Sequence, residues 1–160
     1  MTLSHFATPT DDRYFEDYEP GLTYEFGSVA VTEAEVLDFG RRYDPQAMHT
    51  DPVRAAAGSF GGLIASGWHT GALMMRLLAT HYLSSVASLA SPGVDELRWI
   101  KPVRPGDELR IRVTTVSAAR SRSKPDRGLV RSFVEVLNQR DEVVMSIIGM
   151  VLLRCRRAAP

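Results

Sequence analysis

Asp44 and His49 lie five positions apart in the stretch Tyr43-Asp44-Pro45-Gln46-Ala47-Met48-His49-Thr50-Asp51-Pro52. A carboxylate and an imidazole converging on one water form a general base and general acid pair, because histidine changes charge near neutral pH. That is chemistry for adding water to a double bond or removing it. Within an unbroken helix, residues five apart point roughly 140° away from each other, and the pair could not cooperate. Pro45 disfavours helical geometry at Asp44, so a non-helical loop can turn both side chains toward one point. In isolation the same residues also describe a solvent-exposed loop in which Asp44 caps a turn and His49 packs on its neighbours.

Such a loop has to be held at both ends. On its N-terminal side Thr32 and Glu35 form a capping box, with Val31 placed to staple onto Val36. Val36, Phe39, Gly40 and Tyr43 then share one helical face, and the helix is expected to end near Tyr43. On the other side Asp51-Pro52 starts a helix of one or two turns that closes at Gly58. After Phe60-Gly61-Gly62 a long helix is expected from about Ser66 to Tyr82; it is apolar on most faces, with Arg76 its one formal charge before His81. That pattern marks a buried, central helix. Leu22 to Val29 reads as a short strand. From Val94 onward the period becomes two, giving four further strands, among them Leu129 to Leu137 and Val143 to Leu153. Their links are too short for helical crossovers, so consecutive strands should run antiparallel. The expected architecture is α+β: an antiparallel sheet of about five strands wrapped on one long helix. The first twenty residues read as an irregular arm laid on the surface.

Composition bounds the function. The 160 residues suit one domain spanning 1–160, and 44% apolar with 24% charged residues is a globular profile. Lysine plus arginine equal aspartate plus glutamate at 19 each, so no net field favours nucleic acid or an anionic membrane surface. Cys155 is the lone cysteine, which removes a disulfide framework and points to a reducing, cytoplasmic home. No apolar run reaches the length of a membrane span, and the N-terminus has no basic patch leading into an apolar stretch. His5, His49, His69 and His81 form no metal-binding spacing, so no metal is expected. The basic loop Arg120 to Arg127 and the run Arg154, Arg156, Arg157 read most simply as solvated strand ends, although a basic loop could also meet the phosphates of a coenzyme.

The catalytic stretch resembles the MaoC-like, (R)-specific enoyl-CoA hydratase family, whose motif is an aspartate, a short Asn-Pro-containing loop and a histidine five residues on. The likeness continues at Phe60-Gly61-Gly62-Leu63-Ile64-Ala65-Ser66-Gly67, similar to the family's turn into its central helix. It continues again at Trp99-Ile100-Lys101-Pro102-Val103-Arg104-Pro105-Gly106-Asp107, and it covers most of the chain after about Leu22. Gln46-Ala47 stands where Asn-Pro is usual, and Ala72 stands where many relatives carry a serine.

The resemblance implies a hot-dog fold and a hydro-lyase that interconverts trans-2-enoyl-CoA and (R)-3-hydroxyacyl-CoA, or a related acyl thioester. It implies Asp44 and His49 as the catalytic pair and needs no organic cofactor, the CoA thioester being the substrate. The thioester oxygen would meet a backbone N–H at Gly67, where the dipole of the central helix is positive and no Cβ blocks approach. Gln46, Ser66, Trp68 and Thr70 are the further candidates around the substrate. Trp68 reads first as a core or interface residue, and His69 as a pocket or strand-bonding one. A homodimer or higher homo-oligomer is implied, and a long, aliphatic late strand left as a free edge would favour it. The alternatives are an acyl-CoA thioesterase on the same fold and a non-catalytic acyl-thioester-binding subunit.

Overall fold

The protein was analysed as a computed structural model that describes residues 3–156. Strand β1 (Thr23–Ala30) leads into the capped helix α1 (Glu33–Tyr43), the short turns α2 (Ala47–Thr50) and α3 (Pro52–Ala56), and the central helix α4 (Gly67–Leu77). Five strands follow: β2 (Ser88–Ala90), β3 (Val94–Trp99), β4 (Glu108–Arg120), β5 (Arg127–Leu137) and β6 (Val143–Arg154). All pairings are antiparallel, in the order β1-β4-β5-β6, with β2 and β3 sharing the far side of β6.

The core lies between α4 and the concave face of this six-stranded sheet. Leu109, Ile111 and Val113 of β4 alternate inward at period two, as do Val130, Val134 and Val136 of β5, and all are essentially inaccessible to solvent. They meet Leu73, Met74 and Leu77 of α4, which are buried as the apolar pattern of that helix requires. The capping box forms as expected: Thr32 Oγ1 accepts from the Glu35 N–H, and the Glu35 carboxylate accepts from Thr32 N–H. Val31 and Val36 are both buried beside it.

Several expectations need correction. The strand Val143–Arg154 is not an edge, because β5 occupies one side of it and β2 and β3 the other. The open flanks belong to β1 on one side and to β2 and β3 on the other. Strands β3 and β4, although consecutive, are not neighbours. Their link runs past the N-terminus of α4, where Ala65 N–H donates to Val103 O at 2.8 Å, and this carries the chain to the other part of the sheet. The short β2 carries too little alternation to be read from sequence.

The central helix reaches Tyr82 as expected, but Leu78–Tyr82 closes it as a π turn, with Leu83 N–H donating to Leu78 O at 2.8 Å. Nor does the N-terminal arm lie wholly on the surface. Tyr18 is 1% exposed and Arg13 3% exposed. The Arg13 guanidinium stacks 3.6 Å from the Phe6 ring centre and donates to His81 O and Tyr82 O at 2.9 and 2.7 Å. A cation is favourable there because those carbonyls end the central helix. Tyr82 anchors the same end, its hydroxyl meeting Thr115 Oγ1 and Ser132 Oγ at 3.0 and 2.7 Å, and burial pushes its phenol up.

Candidate active site

Pro45 ends α1 at Tyr43, and Asp44 becomes its C-cap with extended φ of −149°. The stretch after it is not the wholly non-helical loop expected, since one helical turn, α2, restarts after Gln46. The break at Pro45 separates the two helical axes, so the 140° divergence of a continuous helix does not apply. His49 is 5% exposed, and its ring turns back toward Asp44.

Hydrogen bonding fixes the imidazole. His49 Nδ1 lies 2.8 Å from Ile64 O, and a carbonyl can only accept, so Nδ1 carries a proton. Nε2 then faces Asp44 Oδ2 at 3.4 Å. Both carboxylate oxygens of Asp44 also hold donors: Gln46 Nε2 to Oδ1 and Ser66 Oγ to Oδ2, each at 2.7 Å. Gln46 in place of the usual asparagine therefore keeps a donor on the carboxylate. These donors, Gln46 first and Ser66 second, hold the Asp44 carboxyl below its ordinary value against the opposing effect of partial burial; His49 adds in the same direction.

Ser66 has two tasks. It is the N-cap of α4, its Oγ accepting from Trp68 N–H at 3.2 Å, and its own proton goes to Asp44. The positive end of the helix is thereby linked through one hydroxyl to the carboxylate. Gly67 occupies the first helical position, where an N–H has no acceptor within the helix.

A cavity of about 410 Å³ joins these groups, with Asp44, Gln46, His49, Gly67, Trp68 and Thr70 on its wall. Ser66 stands behind Asp44 rather than on that surface. Thr70 is buried and returns its hydroxyl to Ser66 O at 3.4 Å.

Another part of the wall comes from the end of β3 and its link to β4, including Trp99 and Val103 of the family-like stretch Trp99 to Asp107. Trp99 explains one glycine: a Cβ on Gly67 would lie 2.4 Å from its indole. The missing side chain thus makes room for an aromatic wall of the cavity. Trp68 is not a core residue; it is 62% exposed and meets Trp99 edge-on, with ring centres 5.2 Å apart at 79°.

His69 stays outside the cavity. It is buried against Phe39 with ring centres 4.9 Å apart, and burial lowers its imidazole against the attraction of Glu35. It bonds no strand through Nδ1, which is buried without a partner. Within the expected basic clusters Arg120 pairs with Glu16, Arg127 with Asp126, and Arg156 with Asp12 and Asp17, while Arg157 lies outside the described residues. Among the described residues no cluster of three or more histidine, cysteine or acidic side chains is placed to hold a metal, and no helix is long and apolar enough to cross a membrane.

Comparison with known proteins agrees with this architecture. The family described as "MaoC like domain" matches residues 17–136. The 3-hydroxyacyl-thioester dehydratase Z of Mycobacterium tuberculosis is 36% identical over 110 residues, covering 68% of this chain and 73% of that protein. Mesaconyl-CoA hydratase of Cereibacter sphaeroides is 31% identical over 92% of this chain, which spans only 43% of that protein's length. A crystal structure of a MaoC-like dehydratase from Rhodospirillum rubrum superposes with a TM-score of 0.83 at 38% identity, covering 91% of this chain and 99% of that one. A double hotdogfold protein of Mycobacterium tuberculosis, at 18% identity and TM-score 0.76, shares the fold, with this chain spanning 46% of it. With three quarters of its length matched and its helix enclosed by one curled antiparallel sheet, the chain belongs to the MaoC-like dehydratase family of hot-dog proteins.

Proposed function

We propose that the protein is a hydro-lyase that interconverts a trans-2-enoyl thioester and the (R)-3-hydroxyacyl thioester, acting without metal or organic cofactor. The observation that carries this reading is the facing of His49 Nε2 and Asp44 Oδ2 across 3.4 Å on the wall of the cavity, which Gly67 at the start of α4 also lines. Asp44, kept ionised, takes a proton from water as its oxygen bonds to the β-carbon. His49 delivers a proton from Nε2 to the α-carbon. The transient enolate oxygen lies at Gly67 N–H, where the helix end favours negative charge. Transfer of the proton from Asp44 to His49 then restores the starting state, and one water has been added in all.

The decisive assay follows loss of enoyl absorbance with crotonyl-CoA and longer trans-2-enoyl thioesters, together with free thiol. Hydration without thiol release supports the reading. Thiol release without hydration would replace it with thioesterase chemistry, and inertness toward all of them with a non-catalytic acyl-binding role.

Ser66 offers a sharper test. Ser66→Ala removes a donor from Asp44, so the carboxyl rises and the acid limb of the pH–rate profile moves to higher pH; the lost cap costs about 1 kcal/mol of stability. Ser66→Thr, which keeps the hydroxyl, restores the acid limb. An unmoved limb in Ser66→Ala would detach this serine from Asp44.

The functional unit is a homo-oligomer in this proposal, for a different reason from a bare late strand. Trp68, Ala72 and Met75 form an exposed apolar stripe on α4, continued by exposed Val94 and Trp99 at the open β3 flank. Patches of this kind mark interfaces. The β3 flank itself is guarded by Asp95, Glu96 and Arg98 and by a bulge at Glu96. Light scattering along a dilution series, with activity read at each point, is expected to show dimers or larger species whose dissociation lowers turnover; a fully active monomer would refute it.

A further inference from the structure

The glycine-rich stretch ahead of α4 reaches the catalytic cavity through Phe60, which lines it while remaining 43% exposed. A ring with water on one side and a cavity on the other is held by its backbone more than by packing. Gly61 and Gly62 follow it at φ of +62° and +155°, conformations that suit glycine, and a Cβ on Gly61 would meet nothing within 4 Å. The local ties of this loop are Gly58 N–H on Ala55 O at 3.1 Å and Gly61 N–H on Gly58 O at 3.0 Å. Among the described residues, one hydrogen bond joins residues 58–62 to a distant element: Arg104 Nη2 donates to Phe60 O at 2.6 Å, across 44 residues of sequence.

Arg104 is itself firmly seated. Its N–H donates to Asp107 Oδ2 at 2.8 Å, its carbonyl accepts from Asp107 N–H at 3.0 Å, and the buried Asp107 accepts a third bond from Gln139 Nε2 at 2.9 Å. The guanidinium lies against Gly62, where a Cβ would come within 3.3 Å of Nη1. The residues beyond the loop have their own ties. Ile64 N–H donates to Met48 O at 3.1 Å, Ala65 N–H to Val103 O at 2.8 Å, and Ile64 O keeps its bond to His49 Nδ1. Release of the Arg104 side chain therefore frees Phe60 and leaves the imidazole in place.

Resting on the proposed hydro-lyase reading, we infer that Phe60 covers the thioester end of the bound substrate and that Arg104 is the positioning residue that holds it there. Arg104 touches no reacting atom and acts through the carbonyl of Phe60. The ring meets substrate and transition state alike, so its effect falls on binding and not on the chemical step.

The experiment measures kcat and KM for crotonyl-CoA in the parent, Phe60→Ala, Arg104→Met, Arg104→Lys and the double variant Phe60→Ala/Arg104→Met, with a thermal melt of each. Covering the exposed part of a phenylalanine contributes about three- to tenfold in affinity, so Phe60→Ala should raise KM by that factor with kcat within about twofold. Arg104→Met keeps the aliphatic stem and should raise KM about as much, while Arg104→Lys keeps a donor for Phe60 O and should recover part of the loss. The double variant should be no worse than Phe60→Ala, because both substitutions remove one interaction. Losses that multiply would mean that Arg104 meets the substrate itself, and an unchanged KM in Phe60→Ala would mean that the ring covers nothing; either overturns the inference and leaves the hydro-lyase reading intact. Where Phe60→Ala melts well below the parent, Phe60→Leu replaces it and should give an intermediate KM. If the parent leaves crotonyl-CoA unhydrated, the hydro-lyase reading fails, and the same pattern is read in the binding of butyryl-CoA. Trp68 and Trp99, the two tryptophans of the chain, line the cavity and report that binding by fluorescence. Weaker binding in both single variants with no further loss in the double one supports the cover, whereas equal affinities, or no binding by the parent, reject it.

Discussion

Asp44→Asn and His49→Ala are each expected to lower kcat by about 10²–10⁴-fold while the fold survives, the range over which a single acid or base contributes. The asparagine keeps the shape of the carboxylate and one of its two acceptor oxygens, the one on Gln46 or the one on Ser66, but it takes no proton from water. The alanine removes the Nε2 donor and also leaves Ile64 O without its partner, so some loss of stability accompanies the kinetic one. Because the two side chains face each other at 3.4 Å and act on one water, the double variant should lose much less than the product of the single losses. KM should change little in Asp44→Asn if the carboxylate works on the reacting water rather than on the bound thioester. Near-parental turnover in both single variants would remove the pair from the mechanism. Losses that multiply in the double variant would mean that each acts on a separate step.

The sequence revealed this pair through local rules. Pro45 after the capped helix and Asp51-Pro52 before the next turn both act within a few residues, so the chain break that allows convergence was visible. The long apolar helix and the period-two strands were visible for the same reason. The sheet order was not, because whether β3 joins β4 or β6 depends on the path of the Ile100–Asp107 link past α4, and no local propensity encodes that path. The end of β3 and the same link bring Trp99 and Val103 to the cavity, so their place in the site wall is hidden with that path. The burial of Arg13 is not legible locally, because its acceptors, the carbonyls that end the central helix, lie 68 and 69 residues away. Gly67 could be singled out, but the reason for it could not: the group that needs its missing Cβ is an indole from a distant strand.

Gly40→Ala carries the second large effect, and its sign runs against the ordinary expectation for a helix. Within a helix, glycine to alanine normally gains about 1 kcal/mol, since alanine loses less backbone freedom on folding. Gly40 lies in α1 where that helix crosses the turn bearing His49, and a Cβ there would sit 2.6 Å from His49 O and 3.1 Å from His49 Cβ. A flexible side chain could retreat; this contact is with backbone. The turn is held by His49 N–H on Gln46 O at 2.9 Å and by Nδ1 on Ile64 O at 2.8 Å, so relief has to come from separating α1 from α2. Overpacking of this kind costs typically about 1–3 kcal/mol, enough to offset the helical gain and leave a less stable protein. Asp44 caps α1 and His49 sits on α2, so the same separation acts directly on their 3.4 Å spacing, and displacements of about 1 Å can cost about 100-fold in rate. Gly71→Ala supplies the control: it lies in α4, where the added methyl meets only Met145 Cε at 3.8 Å, and the ordinary gain is expected. Thermal melts of the two variants, with kcat of Gly40→Ala, decide the matter. Gly40→Ala is expected to melt below the parent and turn over about 10- to 100-fold more slowly, while Gly71→Ala melts at or above it. If Gly40→Ala melts higher and keeps full turnover, the contact between α1 and the histidine turn does not hold the catalytic pair in place.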